Sequence, residues 1–420
     1  MSVTVSPAKV KGTVMAPPSK SMTHRAAICA ALAEGVSVVR SPLIADDTEA
    51  TRRVLTQLGV SVQGETDAWR IAGGALKSLG EVLHCGESGT TLRLLTAICA
   101  LVEGDCTLTG GPSLSGRPME PLMDALRQLG VDCESTDGHP PVMVRGKGAV
   151  SSGTVEIRGD ISSQFVSALL LVAPRGDGLT TVRITTPLES KPYVSMTMDA
   201  QRTFGVEVEA SPDMRAFKIR SQGYATADMR VEGDWSSAAF LLACGALTGE
   251  IKVRNLNPRS HQADRAISDI LEAMGADVRW DGDGLTVKSS RLSPIEWDLS
   301  DSPDLFPVVA SLCATADGTS TLRGLGRLRF KESDRIASVT ENLARMGVKF
   351  NVEDDTVKIV GGKPRGAVVD PHKDHRIAMA MAVLGTVAEG ETTILDAGCV
   401  AKSYPSFWND LRLMGVELGG

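Results

Sequence analysis

One short pattern recurs six times and constrains the fold of this chain more than any other feature of its sequence. Six amphipathic runs end in closely similar phrases: "LTQLGVSV", "LRQLGVDC", "QRTFGVEV", "LEAMGADV", "LARMGVKF" and "LRLMGVEL". Their glycines stand at 59, 130, 205, 275, 347 and 415, at intervals of 68–75 residues. A glycine directly after a helix suits the left-handed backbone position that closes many helices, and the alternating residues that follow predict a strand.

A second phrase repeats with the same spacing. Runs of small residues end in "LAEG", "LVEG", "APRGDG", "LTGE", "TADG" and "VAEG", and each continues into an extended stretch such as "VSVVRSPL". Both phrases together give each repeat two helices and several strands. A chain of 420 residues suits two domains, so we expect two lobes of three repeats, divided between "FKIRSQGYATADMR" and "VEGDWSSAAF". Ligands often bind at domain interfaces, which predicts a ligand cleft between the lobes.

Composition excludes several classes of partner. The net charge of −7 and the pI near 5.5 argue against nucleic acid as a partner. With 4% aromatic residues, the chain also has few side chains on which nucleic-acid bases could stack.

Eight cysteines without a C-x-x-C pair indicate a reducing compartment, with neither disulfides nor zinc. The N-terminus has no apolar signal segment, and no window approaches membrane-spanning length. We therefore predict a cytoplasmic protein without a membrane partner.

Polar clusters mark many of the predicted helix starts, among them "PSKSMTHR", "CGESGTTLR", "GDISSQF", "SDSPDLF", "RFKESDR" and "KDHRIAM". Helix N-termini bind anions, but helix capping accounts equally well for the Ser, Thr and Asp residues. Capping does not explain the cations, which the macrodipole disfavours at this end. These cations are Lys20, Arg25, Arg93, Arg117, Lys331, Arg335, Arg376 and Lys402. Such a set suggests a shared anionic ligand that carries phosphate or carboxylate groups.

Two carboxylates beside these cations are candidates for proton transfer. Asp304 lies in "SDSPDLF" and Glu332 in "RFKESDR". A carboxylate among cations is ionised, which suits a base or a charge stabiliser, and surface ion pairing or capping is the alternative. The sequence contains neither a Walker loop nor a G-x-S-x-G elbow. For His372, Asp374 and His375 a helix-start cluster is favoured over a metal site.

Ten motifs, in order along nearly the whole chain, resemble those of the 5-enolpyruvylshikimate-3-phosphate synthase family: "PPSKSMTHRA", "ESGTTLR", "GRPMEPL", "SSQFVSALL", "SKPYV", "VEGDWSSAAF", "SPDLFPVVA", "KESDRI", "DHRIAMA" and "AKSYPSFW". The resemblance implies an α/β, two-lobed enolpyruvyl transferase fold. Each lobe would hold three βαββαβ units in an inside-out α/β barrel. The N-terminal lobe would span 15–229 and the C-terminal lobe 1–14 with 230–420, with crossovers near residues 14 and 230.

The same resemblance implies an activity in the shikimate pathway, which leads to chorismate and the aromatic amino acids. The enolpyruvyl group of phosphoenolpyruvate would pass to the 5-hydroxyl of shikimate 3-phosphate, with release of phosphate. No cofactor or metal would be needed, and the family precedent is monomeric.

The resemblance also implies particular site residues. The implied catalytic residues are Asp304, Glu332 and Lys20. Implied contacts to shikimate 3-phosphate come from Lys20, Ser21, Arg25, Ser162, Ser163, Gln164, Ser190, Asp304 and Lys331. Implied contacts to phosphoenolpyruvate come from Lys20, Gly89, Arg117, Gln164, Arg335, Arg376 and Lys402.

The chain departs from the family pattern at three positions. Glu87 stands where some members carry Asn, Leu94 where some carry Pro, and Arg327 where some use Asn against the substrate. For this reason Arg327 is not among the expected site residues.

Three alternatives remain. The first is the sister enzyme that acts on UDP-N-acetylglucosamine, which usually has Lys-Asn at the Lys20-Ser21 position and a catalytic Cys in the loop that here reads "GGPSLSGRPM". The second is a non-catalytic phosphosugar-binding protein, which would need neither Asp304 nor Glu332. The third is an RNA-end-processing cyclase built from related units, which the acidic pI disfavours.

Overall fold

Internal contacts divide the chain into two compact units. The computed structural model describes residues Met1–Gly420. One unit, here the N-unit, is Pro18–Val231, and the other, the C-unit, combines Met1–Pro17 with Glu232–Gly420. The start of the chain therefore packs with its second half. The crossovers that we expect near residues 14 and 230 lie beside these limits.

The chain forms short strands throughout its length. In chain order they are β1 (Val3–Val5), β2 (Lys11–Met15), β3 (Gly35–Arg40), β4 (Ser61–Gln63), β5 (Ala68–Gly73), β6 (Val82–His84), β7 (Glu103–Thr109), β8 (Asp132–Thr136), β9 (His139–Lys147), β10 (Thr154–Ile157), β11 (Leu179–Ile184), β12 (Glu209–Ala210), β13 (Ala216–Arg220), β14 (Asp228–Arg230), β15 (Glu250–Arg254), β16 (Asp277–Asp281), β17 (Gly284–Lys288), β18 (Glu296–Asp298), β19 (Thr319–Arg323), β20 (Lys349–Glu353), β21 (Thr356–Val360), β22 (Val368–Val369), β23 (Thr392–Ile394) and β24 (Leu418–Gly419).

Helices alternate with these strands. The α-helices are α1 (Lys20–Leu32), α2 (Asp46–Gln57), α3 (Gly89–Ile98), α4 (Pro112–Ser115), α5 (Glu120–Gln128), α6 (Ser163–Val172), α7 (Lys191–Thr203), α8 (Trp235–Thr248), α9 (Ala266–Ala273), α10 (Phe306–Cys313), α11 (Arg335–Arg345), α12 (His375–Gly385) and α13 (Phe407–Leu413). Short 3-10 helices are formed by Cys99–Leu101, Ala173–Arg175, Ala263–Arg265, Pro303–Leu305, Gly326–Phe330 and Ala397–Lys402. None of the helices combines the length and the apolar character that a membrane crossing requires.

The strands form six sheets of identical topology. Each sheet has four strands, of which the first two are parallel and the others join antiparallel. The N-unit sheets have the orders β14-β3-β5-β4, β6-β7-β9-β8 and β10-β11-β13-β12. The C-unit sheets have the orders β2-β15-β17-β16, β18-β19-β21-β20 and β22-β23-β1-β24. The sixfold repetition predicted from the sequence is therefore confirmed, with three repeats in each unit.

Strands that are remote in sequence complete three of these sheets. In the N-unit, β14 pairs in parallel with β3, so that Asp228 stands opposite Val38. In the C-unit, β2 pairs in parallel with β15. Strand β1 lies between β23 and β24, so that Val3 stands opposite Ile394. These pairings explain why residues from the N-terminus belong to the second unit.

Each unit encloses three buried helices behind its three sheets. They are α1, α3 and α6 in the N-unit and α8, α10 and α12 in the C-unit, and nearly all their residues are buried. A helix that is apolar all round must lie inside a protein. The other long helices carry one apolar face, and the repeat glycines follow them. All six glycines have positive φ, from +76° to +92°, which confirms the predicted left-handed positions.

Candidate functional site

The three buried helices of the N-unit begin in the same way. Ser19, Ser88 and Ser162 precede α1, α3 and α6, and the hydroxyl of each accepts a hydrogen bond from a backbone N–H of the first turn. In the C-unit, Asp234 and Asp374 cap α8 and α12. Capping, the alternative to anion binding in the sequence analysis, therefore accounts for many of the polar residues at these positions. The cations beside the caps need a separate explanation.

Lys20 opens α1 and pairs with a carboxylate from the next helix. Its Nζ lies 2.8 Å from Oδ2 of Asp47 on α2, and both side chains are largely buried. Asp47 therefore restrains the ammonium group at the start of α1. Its sequence context, "ADDTEA", is typical of an ordinary helix start, which is why sequence reasoning missed this partner.

Arg25 joins α1 to α7. Its guanidinium donates to Oγ1 of Thr197 at 2.8 Å, to the carbonyl of Tyr193 at 3.0 Å and to the carbonyl of Ser21 at 2.9 Å. Burial lowers the pKa of Arg25 to about 10, which still leaves it charged at neutral pH. Ser190, another predicted site residue, immediately precedes α7 with a left-handed φ of +53°.

The starts of α3 and α6 are linked by side chains. Nη1 of Arg93 donates to Oγ of Ser162 at 3.2 Å and to Oε1 of Gln164 at 3.0 Å. The amide of Gln164 in turn donates to Oγ1 of Thr90 at 2.8 Å. Ser163 is the first residue of α6. Two predicted site residues, Ser162 and Gln164, are thus held by Arg93, a cation that the sequence singled out but did not assign to a substrate.

Arg117 lies against Gly89, the first residue of α3. A Cβ built on Gly89 would meet Nη1 of Arg117 at 2.6 Å, so a side chain at this position would displace the guanidinium. Nε of Arg117 donates to the carbonyl of Ser113 at 3.2 Å. Oε2 of Glu87 accepts from the backbone N–H of Ser113 at 3.0 Å and also from its hydroxyl. Glu87 therefore caps α4 from a neighbouring loop and fixes the segment that carries Arg117.

Arg335 is the centre of the charge network in the C-unit. Its guanidinium lies 2.7 Å from Asp304, 2.8 Å from Glu332 and 2.7 Å from Asp374. Arg335 is 1% exposed and Asp374 is fully buried. The two predicted catalytic carboxylates are thus bound to one arginine. Asp374, whose cluster the sequence assigned to a helix start, both caps α12 and pairs with Arg335.

Other cations surround the same carboxylates. Nη2 of Arg376 lies 3.0 Å from Oδ2 of Asp304, and Nζ of Lys331 lies 3.3 Å from its Oδ1. Nζ of Lys402 lies 3.8 Å from Oε1 of Glu332. Each predicted catalytic carboxylate therefore has a second cation beside it. All six site residues that the sequence predicted in the C-unit belong to one connected network.

Burial and charge perturb the ionisation of this network. Burial alone would raise the pKa of Asp304, but Arg376, Lys331 and Arg335 together hold it well below its ordinary value. Burial lowers the pKa of Lys331. Although burial opposes its charge, three carboxylates hold the pKa of Arg335 above its ordinary value. Asp304 is accordingly ionised at neutral pH.

Asp264 adds a buried carboxyl group that the sequence did not single out. Its Oδ2 accepts from the hydroxyl of Ser236 and lies 3.8 Å from Nη1 of Arg376. Burial raises the pKa of Asp264 to about 6. Asp264 and Asp304 therefore face the same guanidinium with opposite shifts in pKa.

Three of the predicted helix-start cations occupy other positions. Arg117 lies between α4 and α5, Lys331 directly follows the 3-10 helix Gly326–Phe330, and Lys402 is the last residue of the 3-10 helix Ala397–Lys402. None of the three therefore stands in the first turn of a long helix. Lys20, Arg335 and Arg376 do stand in the first turns of α1, α11 and α12.

The chain resembles the proteins of one known family along nearly its whole length. The family model for EPSP synthase (3-phosphoshikimate 1-carboxyvinyltransferase) matches residues 5–411. The 3-phosphoshikimate 1-carboxyvinyltransferase of Methanocorpusculum labreanum is 45% identical over 100% of this chain and 99% of the relative. The enzyme of the same name from Dehalococcoides mccartyi is 44% identical over 97% and 96% of the two chains.

Solved structures show the same fold. EPSP synthase from Acinetobacter baumannii superposes with a TM-score of 0.83, at 29% identity and full coverage of both chains. The enolpyruvyl transferase NikO from Streptomyces tendae gives a TM-score of 0.80 at 20% identity, with 100% of this chain and 98% of NikO covered. These structures confirm the predicted two-lobed enolpyruvyl transferase fold, and the chain belongs to the EPSP synthase (3-phosphoshikimate 1-carboxyvinyltransferase) family.

Proposed function

We propose that the chain transfers the enolpyruvyl group of phosphoenolpyruvate to the 5-hydroxyl of shikimate 3-phosphate and releases phosphate. The observation that carries this proposal is the Arg335 network, in which Asp304 and Glu332 share one guanidinium. A protein that only binds anions has no use for two carboxylates among its cations. A proton-transfer enzyme needs both kinds of group side by side.

Shikimate 3-phosphate carries a phosphate and a carboxylate, and the N-unit supplies groups that suit both. In our proposal Ser162, Ser163 and Ser190 take the phosphate. The other contacts are made by Lys20, Ser21, Arg25, Gln164, Asp304 and Lys331. Hydroxyls and backbone N–H groups at a helix start are ordinary phosphate ligands, and Ser163 opens α6.

Phosphoenolpyruvate is a smaller trianion and needs a denser set of positive charges. In our proposal its ligands are Lys20, Gly89, Arg117, Gln164, Arg335, Arg376 and Lys402. The close approach of Arg117 to Gly89 supports this assignment, because it sets a guanidinium beside the first N–H groups of α3.

The reaction requires two proton movements. The 5-hydroxyl oxygen forms a bond to C2 of phosphoenolpyruvate while C3 gains a proton, and then the C2–O bond to phosphate breaks while C3 returns a proton. We assign Asp304 to accept the hydroxyl proton and Glu332 to exchange the proton at C3, with Lys20 as a second proton carrier. Because Asp304 is ionised, it accepts a hydrogen bond from the hydroxyl and takes the proton as the C–O bond forms.

Charge stabilisation accompanies these steps. The phosphate leaves with its full negative charge, and fixed cations stabilise that charge without reorganising. Arg335 is held by three carboxylates, so its position does not depend on the ligand. The reaction balances without a metal ion or an organic cofactor.

An acceptor panel tests the proposal. Purified protein is mixed with phosphoenolpyruvate and with shikimate 3-phosphate, UDP-N-acetylglucosamine or no acceptor, and phosphate release is followed. We expect phosphate release only in the mixture that contains shikimate 3-phosphate. The same mixture should contain an enolpyruvyl ether, which phosphorus and proton NMR detect. Release with UDP-N-acetylglucosamine would favour the sister enzyme, and tight binding without release would favour a binding protein.

We also infer that the enzyme acts as a monomer in the cytoplasm. Each unit has its own extensive core, so neither needs a partner chain to bury its apolar helices. Seven of the eight cysteines are buried free thiols, which suits a reducing compartment.

A further inference from the structure

A chain of buried hydrogen bonds links α1, α2 and α3 of the N-unit. Nδ1 of His24 on α1 lies 2.7 Å from Oγ1 of Thr51 on α2. That hydroxyl lies 2.7 Å from Oγ1 of Thr91 on α3, which lies 2.8 Å from Oγ of Ser88. His24 is 1% exposed and the three hydroxyl residues are fully buried. The chain therefore joins three helices without contact to solvent.

The hydroxyl groups fix the direction of these hydrogen bonds. Thr91 Oγ1 donates to Oγ of Ser88 at 2.8 Å, and the carbonyl of Asp47, which can only accept, lies 3.3 Å away. Because the single proton of Thr91 is used on this side, Thr91 must accept from Thr51. Thr51 then has no proton left for His24, so the imidazole must donate from Nδ1.

The other ring nitrogen leads to the same conclusion. Nε2 of His24 is buried and has no hydrogen-bond partner. A proton on Nε2 would leave a buried donor unsatisfied, whereas a bare nitrogen leaves only an acceptor unsatisfied, which is the smaller penalty. A cationic ring is protonated on both nitrogens and would therefore leave the same buried donor at Nε2 unsatisfied. Burial lowers the pKa of His24 to about 3, against the attraction of Asp47 and together with the repulsion of Lys20 and Arg25.

The ends of the chain lie beside proposed ligands of phosphoenolpyruvate. Ser88 is the N-cap of α3 and directly precedes Gly89, and it accepts from the backbone N–H of Thr91 at 3.2 Å. His24 lies one turn beyond Lys20 on α1. Asp47 contributes both its carboxylate to Lys20 and its carbonyl to Thr91. The network thus fixes the start of α3 relative to the start of α1.

We propose that His24 is a positioning residue, which as a neutral imidazole protonated on Nδ1 anchors the Thr51–Thr91 hydroxyl chain and thereby holds Gly89 in register with Lys20 for phosphoenolpyruvate. This inference rests on the proposed function for its ligand. Its geometry, however, lies wholly within the N-unit and stands by itself. The role is distinct from core packing because Gly89, whose position the hydroxyl chain fixes, is a proposed ligand of phosphoenolpyruvate and not of shikimate 3-phosphate.

The kinetic test uses an isosteric change in the middle of the chain. Thr51→Val removes both hydrogen bonds and keeps the shape. Thr96→Val is the matched control, since Thr96 is equally buried on α3 but bonds only to the carbonyl of Leu92 in its own helix. We expect Thr51→Val to raise KM for phosphoenolpyruvate between about 10-fold and about 100-fold, with KM for shikimate 3-phosphate unchanged. Thr51→Ser should restore the parent value.

Two results would overturn the proposal. The first is a Thr51→Val protein whose KM values equal those of Thr96→Val, or whose KM rises equally for phosphoenolpyruvate and for shikimate 3-phosphate. The other comes from nitrogen-15 NMR of histidine-labelled protein, with His24 assigned from its absence in His24→Phe. We expect His24 as the Nδ1-protonated neutral tautomer between about pH 5 and about pH 8, so an Nε2-protonated or cationic ring contradicts it. Failure of the proposed function would instead abolish turnover in the parent protein and leave the tautomer unchanged.

Discussion

Gly89 and Arg117 are in such close contact that a single methyl group would separate them. A Cβ on Gly89 would lie 2.6 Å from Nη1 of Arg117. This nitrogen is the far end of a flexible side chain, so we expect Gly89→Ala to displace the guanidinium without unfolding the protein. KM for phosphoenolpyruvate should rise about 10-fold or more, with little change in melting temperature.

The chain offers a matched control for this substitution. Gly116 lies one residue before Arg117, and a Cβ there would meet nothing within 4 Å. Gly116→Ala should therefore retain the parent KM for phosphoenolpyruvate. If both variants behave alike, the contact with Gly89 does not position Arg117.

Asp304 and Glu332 should affect turnover more than affinity for phosphoenolpyruvate. Loss of a general acid or base typically lowers kcat about 10²- to 10⁴-fold, which we expect for Asp304→Asn and for Glu332→Gln. Neutralising either carboxylate leaves neighbouring cations in place, so KM for phosphoenolpyruvate should not rise. Asp317→Asn, at an exposed pair with Arg291, is the control. Unchanged kcat in both site variants would assign these carboxylates to ion pairing alone.

The Arg335–Asp374 pair should contribute to stability. Removing one partner of a buried pair leaves an uncompensated charge and typically costs about 3–5 kcal/mol. Arg335 would keep Asp304 and Glu332, so we expect Asp374→Ala to lower the free energy of unfolding by about 3 kcal/mol. In contrast, Asp283→Ala breaks an exposed pair with Arg254 and should lower the free energy of unfolding far less, because water screens such pairs. Urea unfolding measures both, and equal losses would contradict the prediction.

The ionisation of Asp264 should lower the free energy of unfolding as the pH rises. Its pKa is raised to about 6 in the folded chain, against about 3.9 for an unfolded Asp, so the folded state binds the proton more tightly. The stability that this group contributes is fully present below about pH 4 and is lost as the pH rises through about 6. Asp264→Asn copies the protonated form. At pH values above about 6, its free energy of unfolding should exceed that of the parent by up to about 3 kcal/mol.

Unfolding at two pH values tests this prediction. The advantage of Asp264→Asn should be present at about pH 7.5 and should shrink towards about pH 4. Asp269→Asn, on the exposed side of α9, serves as the control for the loss of a carboxylate. An advantage of Asp264→Asn that does not depend on pH would contradict the raised pKa.

Repeats and helix starts could be predicted from the sequence because both depend on residues close together in the chain. The glycine at 275 and the cap at Ser88 follow from their immediate neighbours. Partners across helices could not be predicted in this way. Asp47 looks like an ordinary residue at the start of α2, and only the packing of α1 on α2 brings it to Lys20.

The same limit applies to the C-unit. Asp264 stands in "HQADRA", which has no cation nearby other than Arg265, and tertiary packing brings it to Arg376. Ionisation states are still less accessible from sequence, because the shifts of Asp264 and Asp304 depend on burial as well as on neighbouring charges. The direction of the His24 chain likewise required the positions of three hydroxyl groups.

Our central proposal is that Arg117 and Arg376 both bind phosphoenolpyruvate, and variants of these two arginines test it most directly. Arg117 belongs to the N-unit and Arg376 to the C-unit. We measure KM for each substrate by phosphate release with the other substrate at saturation. Arg117→Ala and Arg376→Ala should each raise KM for phosphoenolpyruvate by about 10-fold or more, with KM for shikimate 3-phosphate nearly unchanged. Equal losses for both substrates, or an effect from only one arginine, would contradict the claim.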